Sequence, residues 1–455
     1  MPESYRRNSA VWSLALATLL PLVAGPAPAH AHEGEHDHPT VYAPAEHYRP
    51  TPLPDRLVLT WSDDPASSVD ITYRTHPATE ATICQWIEAA DVFGDHRNGD
   101  IPESEEIEGT SELFESDLGE CRMHSAKLRG LEPETRYAYR VGDGVNWTEW
   151  HHFTTASDEA KPFEFVYFGD AQNAVRALWS RVRREAHAEA PRAAFALHAG
   201  DLINNANTDA EWGEWHEAAG WLNGAIPTVA VPGNHEYFRR GLEPTVSDHW
   251  RPQFSFPMNG AAGLEETCYW FEYQGVRFVA LDSNKRQAEQ AEWLDRLLSD
   301  LPPAPWTILT FHHPIFSAAK NRDNATLRAI WKPIFDKHKV DLALTGHDHA
   351  YARSGLGGPA DAENVAAGER RQEGQTVYVV SVSGPKNYQL GESWDVSRSG
   401  SGIQLYQTIR IDGDQLSYRA YRASGDLYDA FTIEKDDDGT PELIEETPPT
   451  EEIRR

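Results

Sequence analysis

The stretch Val340–Arg353, VDLALTGHDHAYAR, runs from an alternating apolar segment into a glycine and two histidines one residue apart. A lone histidine behind a strand is ordinarily held by a backbone carbonyl. Two of them, His347 and His349, directly after Gly346, form a different pattern. Glycine reaches backbone conformations that other residues avoid, so the chain can turn sharply and aim both imidazoles at one point. That arrangement suits a metal ion if the rest of the chain supplies further ligands.

Four other apolar runs end in the same way. FEFVYFGDAQN ends in Gly169-Asp170, with Gln172 two residues on. AAFALHAGDLINN ends in Gly200-Asp201, and IPTVAVPGNHEY in Gly233-Asn234-His235-Glu236. WTILTFHHPIF ends in His312-His313-Pro314. In open α/β sheets, ligands gather beyond the carboxyl ends of the strands. Five runs that each deliver a carboxylate, carboxamide or imidazole to such an end make chance a poor explanation.

In order and in kind, this set resembles the calcineurin-like metallophosphoesterases and, within them, the purple acid phosphatase branch. The resemblance covers about residues 163–421. It implies an α/β fold of four layers, two central β-sheets flanked by helices, preceded by an all-β sandwich. It also implies two divalent metal ions, of iron, manganese, zinc or magnesium. Carried over, Asp201 bridges them, Asp170 and His349 hold the first, and Asn234, His312 and His347 hold the second. Such a mix of oxygen and imidazole donors suits these metals. His235 is left free of metal, as the catalytic group that reaches the phosphate or the leaving oxygen. His313 and Arg353 are expected to bind substrate. The implied activity is hydrolysis of a small phosphate ester, a monoester in first place, by a hydroxide held on metal. A phosphodiesterase or nucleotide hydrolase on the same site is the alternative. A surface binding protein with a structural or vestigial metal site is a third reading.

Two positions depart from the family pattern. The branch carries a tyrosine three residues after the second aspartate, and here that residue is Asn204. Other members carry a histidine two residues after the first aspartate, and here that residue is Gln172. The Gln172 carbonyl oxygen is expected to fill that position as a neutral, hard ligand, favouring manganese, magnesium or ferrous iron over zinc.

Upstream, RLVLTWSDDPASSVDITYRT reads as two strands and a turn. Leu131-x-Pro133-x-Thr135-x-Tyr137 resembles the tyrosine corner of a β-sandwich. With Trp61, residues 51–157 are expected to form a fibronectin type III-like domain. An acidic stretch, about Asp91 to Glu120, is expected as a surface loop. Residues 158–432 are assigned to the catalytic domain and 433–455 to a frayed acidic tail.

The 455-residue chain carries a net charge of −30, which repels nucleic-acid backbones. At the start, Arg6 and Arg7 precede an apolar run closed by Ala29-His30-Ala31, the pattern of a signal peptide over 1–31. Export to a periplasmic or extracellular space is therefore expected, with no membrane span. A His-rich leader, 32–50, follows. Cys84 and Cys121 are open to pairing, leaving Cys268 free. Oligomeric state is not legible.

Overall fold

The computed structural model describes residues 42–89, 103–361 and 374–454. The signal segment, His32, His36 and His38 lie outside them. From Ala43 onward the chain forms one compact unit.

The N-terminal part is a sandwich of two antiparallel four-stranded sheets. One runs in the order Asp55–Thr60, Ser68–Thr75, Gly119–Arg129, Thr110–Ser116, and the other Glu105–Glu108, Ile83–Glu88, Arg136–Gly142, His151–Thr154. Alternate residues, among them Val69, Ile71 and Tyr73 from one sheet and Tyr137, Tyr139 and Val141 from the other, fill the space between. The Tyr137 hydroxyl accepts the Glu132 N–H at 3.0 Å, which closes the tyrosine corner.

Three expectations change here. The acidic stretch is not one loop: its described part contains two edge strands, Glu105–Glu108 and Thr110–Ser116. Edge strands leave their carboxylates in water and thereby discourage pairing with other chains. Cys84 and Cys121 are separate buried thiols on opposite sheets. Trp61 is not part of the sandwich core. Its ring lies 5.6–6.0 Å from Phe195, Phe271 and Tyr273 in the following part of the chain.

That following part holds two seven-stranded sheets face to face. The first contains the parallel strands Phe163–Phe168, Ala196–His198 and Thr228–Ala230. The second contains the parallel strands Val276–Ala280, Trp306–Thr310, Leu342–Thr345 and Val377–Val380. Period-two alternation sorts the second sheet cleanly. Phe278, Ile308 and Leu344 point to the shared core, while Val279, Leu309 and Ala343 point to the other side. There they meet Leu294 of the helix Gln287–Asp300 and Trp331 and Phe335 of the helix Ala325–Lys337. Helices Ser180–Glu189 and Asp209–Ala219 cover the first sheet with Val182, Trp212 and Trp215. The four-layer architecture is therefore present.

Buried charge ties the sandwich to this part. Asp209, at the start of its helix, receives Arg56 Nη1 at 2.7 Å and lies 3.5 Å from Arg74 Nη1 and 3.3 Å from His249 Nε2. Burial pushes its carboxyl up, but the His249 and Arg56 bonds override that and hold it well below the usual carboxylate range. A depressed pKa contributes stability above the unfolded-state value of 3.8, and that contribution is lost as pH falls toward the folded value. Asp209→Ala strands the buried Arg56 guanidinium and leaves Arg74 with Asp55 alone. We expect a loss of about 3–5 kcal/mol in urea unfolding at neutral pH, shrinking below pH 4.

The C-terminal segment is docked rather than frayed. Pro441–Glu445 adds an edge strand to the first sheet, and the Glu452 carboxylate accepts the Ser399 N–H at 2.7 Å. Among the described residues no helix is long and apolar enough to cross a membrane.

Candidate active site

The loops that leave the carboxyl ends of both sheets meet at one place. Hydrogen bonds stitch them: Ala171 and Gln172 donate to the Asp201 carbonyl at 3.0 Å, and Gly346 N–H donates to the His312 carbonyl at 3.1 Å. The glycines allow this closeness. A Cβ on Gly233 would overlap the Asp201 carboxylate, one on Gly346 the Asp170 carboxylate, and one on Gly169 the Ser381 carbonyl. Asp201, His347 and His349 themselves hold left-handed backbone, with φ of 53°, 73° and 45°. Such conformations cost of order 1–3 kcal/mol each and persist only where their surroundings impose them.

The side chains form two adjoining groups. Ligand atoms of Asp170, Asp201 and His349 lie within 4.8 Å of one another, as do those of His312, His313 and His347. His312 links the groups. Its Nδ1–H donates to the Ala199 carbonyl at 2.9 Å, so Nε2 faces inward. Around that nitrogen stand Asn234 Oδ1 at 3.1 Å, His347 Nδ1 at 3.1 Å and Asp201 Oδ2 at 3.3 Å. On the other side Asp170 Oδ2 lies 3.3 Å from His349 Nε2 and, though buried, has no hydrogen-bond donor.

This crowd of acceptors attracts positive charge. Burial pulls the His312 pKa down, but Asp201 and Asp170 raise it to about 10. Asp201 feels the same pair from the other side: burial pushes it up, and His312 holds it well below the usual range. Asp170, buried beside Asp201, is raised well above that range, chiefly by burial, so two adjacent carboxylates need a cation to ionise together. A divalent metal in each group fits these donors.

His235 lies at the rim. Its backbone N–H donates to Asp201 Oδ1 at 2.9 Å, and its Nδ1 meets the Asn204 carbonyl at 2.6 Å. Its Nε2 is the free end. His313 lines a neighbouring cavity, and its Nδ1 lies 2.9 Å from Ser283 Oγ, which also accepts the His313 N–H.

Gln172 reaches the site, but with the other end of its amide. Nε2 donates to Asp201 Oδ2 at 2.8 Å and faces His349 Nε2 at 3.1 Å, while Oε1 is buried without a partner. In this arrangement it orients the carboxylate, and ligation requires the amide to turn over. Arg353 is a correction. It is 0 % exposed and divides its guanidinium between Asp429 and Glu445, at 2.8 Å each. Tyr351 aims its hydroxyl at the same Asp429, 2.6 Å away. The segment after Gly-His-x-His is a strand, Tyr351–Arg353, and strand alternation takes Arg353 away from the imidazoles.

Two residues escaped the sequence reading. Glu236, fully buried, accepts the backbone N–H groups of Asp201, Leu202 and Gly233 at 2.7–2.8 Å and so holds the strained loop that presents Asp201. Asp348, between the two histidines, takes Ser317 Oγ and Ala318 N–H at 2.6 Å. Both sit inside quoted motifs, where an acidic side chain beside a histidine gives no sign of facing backward.

Residues 54–155 match the family model of the purple acid phosphatase N-terminal domain, and residues 151–351 that of calcineurin-like phosphoesterases. Purple acid phosphatase 15 of Arabidopsis thaliana is 25% identical over 267 residues, covering 51% of this chain and 49% of its own. A purple acid phosphatase of Glycine max is 26% identical over 247 residues, covering 51% and 53%. The chain thus spans about half the length of the curated relatives it matches. A solved purple acid phosphatase from yellow lupin (Lupinus luteus) seeds shares the fold at a TM-score of 0.66 and 18% identity, covering 85% of this chain and 75% of that one.

Proposed function

We propose that this chain, which belongs to the calcineurin-like phosphoesterases and carries the N-terminal domain of their purple acid phosphatase branch, is a metal-dependent hydrolase of small phosphate esters. The observation that carries this reading is the gathering of Asp201 Oδ2, Asn234 Oδ1 and His347 Nδ1 within 3.3 Å of the inward-facing His312 Nε2, beside a buried Asp170 oxygen that has no donor. Ligand atoms crowd together in this way around a cation. The assignment is Asp201 between two divalent ions, Asp170 and His349 on one side, and Asn234, His312 and His347 on the other. Bound there, the ions supply positive charge to the phosphoryl oxygens and an activated water.

The chain's own groups do the rest. Asn204 holds His235 by Nδ1, which leaves Nε2 to carry a proton to the leaving oxygen. Ser283 Oγ accepts the His313 N–H and stands 2.9 Å from His313 Nδ1, to which its own proton can be given. His313 then keeps its proton on Nε2, as a donor to a phosphate oxygen. The adjoining cavity of about 600 Å³, with Tyr237, Asn284, Gln287 and Asn324 on its walls, suits a small polar alcohol as the leaving group. We favour monoesters. Turnover of a chromogenic monoester and a diester, each with Mn²⁺, Fe²⁺ or Zn²⁺, tests this: the monoester should be the faster substrate. Metal bound without turnover of either would replace the hydrolase reading with that of a binding protein.

The same reading treats 51–157 as a fibronectin type III-like domain, 158–432 as the catalytic one, and the protein as exported after removal of 1–31.

It also predicts the absence of colour. Phenolate-to-iron charge transfer needs a tyrosine on the metal. Asn204 stands where the family's tyrosine would, Tyr237 is bonded to Asp282, and Tyr351 to Asp429. The iron-loaded protein should show no strong visible band, whereas iron-loaded Asn204→Tyr should gain one. A strong band in the wild type that shifts with phosphate would reassign the first site.

A further inference from the structure

Behind the two strands that lead to Asp170 and Asp201 lies a layer rich in donors and poor in acceptors. Arg183 is 0 % exposed on the inner face of the helix Ser180–Glu189, and all three of its guanidinium nitrogens lack a hydrogen-bond partner. Among the described residues no carboxylate pairs with it. Its Cζ lies 5.6 Å from the Phe168 ring, which stacks on His198 at 5.1 Å. His198, on the strand Ala196–His198, has neither ring nitrogen bonded. Trp179, from the turn Val175–Trp179 just before that helix, and Trp215, from the helix Asp209–Ala219, flank that imidazole at 5.8 and 5.7 Å, and both indole N–H groups lack an acceptor. Four fully buried side chains thus offer guanidinium and indole donors, against the single acceptor of a neutral imidazole.

A buried, uncompensated charge is costly, and Arg74, Arg277 and Arg353, buried about as deeply, each meet a carboxylate. Burial lowers the Arg183 pKa only to about 10, so the group remains a cation at neutral pH. Water satisfies N–H groups but leaves the charge. We propose that this layer binds one small monovalent anion of the halide class, held by Arg183 with the Trp179 and Trp215 N–H groups. One guanidinium balances one negative charge, and aromatic walls suit a weakly hydrated ion. Phosphate, as a dianion, would leave a second charge unpaired. The anion braces the helix layer against the strands that carry the site, and the inference stands apart from the proposed hydrolase activity.

Crystals of the full chain soaked in sodium bromide should show an anomalous peak within hydrogen-bond distance of the Arg183 guanidinium. In solution, sodium chloride should raise the melting temperature saturably, by ~2 °C or more, over sodium gluconate at equal ionic strength. Arg183→Met should abolish the saturable part. Trp215→Phe, which removes one N–H and keeps an aromatic ring, should shift its midpoint to higher chloride, so the test survives if Arg183→Met fails to fold. No bromide peak at Arg183, or the same chloride midpoint in wild type and Trp215→Phe, would overturn the proposal.

Discussion

Asp201→Asn should lose metal and activity together. Asp201 Oδ2 lies 3.3 Å from His312 Nε2 and accepts Gln172 Nε2 at 2.8 Å, while Oδ1 accepts the His235 N–H at 2.9 Å. An amide keeps the shape but removes the charge, and it replaces one acceptor by an NH₂ that faces other donors. A neutral group bridges two cations poorly. Metal content should fall below two ions per chain, and turnover should drop by about 10²–10³, the scale of one lost electrostatic stabiliser. Elemental analysis beside steady-state rates reads both. Values near wild type for both would show that Asp201 does not bridge.

His235→Ala should separate what Asp201→Asn joins. Alanine keeps the backbone N–H on Asp201 and removes only the imidazole, so two ions should stay. Turnover should fall by about 10²–10⁴, the range for a lost general acid or base. The defect should be smaller with a nitrophenyl ester, whose leaving group needs little proton assistance, than with an alkyl ester. An equal defect on both would limit His235 to positioning the phosphate. Loss of metal would make it a ligand.

The parts of the fold and site most legible in sequence are those where local chemistry is forced. Each glycine ahead of an assigned ligand sits where a side chain would collide with a neighbouring loop, so the Gly-Asp, Gly-Asn-His and Gly-His-x-His patterns mark convergence directly. Strand alternation likewise made the two apolar sheets readable. What escaped depends on direction in space. Arg353 follows a motif by four residues yet belongs to a buried pair with Asp429 and Glu445, which lie 76 and 92 residues further on. Trp61 sits in sandwich sequence but packs on the aromatic rings of the next part. Glu236 faces backbone rather than metal, and which end of the Gln172 amide faces the site is set by Asp201, not by its neighbours in sequence. The acidic stretch read as a loop because its charge hid an alternation that pairs on both sides.

The central claim, that two divalent ions at this cluster enable phosphoester hydrolysis, is tested most directly by a stoichiometric titration. The full chain is stripped with a chelator, and turnover of a chromogenic monoester is followed as Mn²⁺ is added in known equivalents. The account predicts no turnover in the stripped protein and a rise that levels off at two equivalents per chain. Undiminished turnover after complete removal of metal, or two equivalents bound with no turnover of any ester, would contradict it.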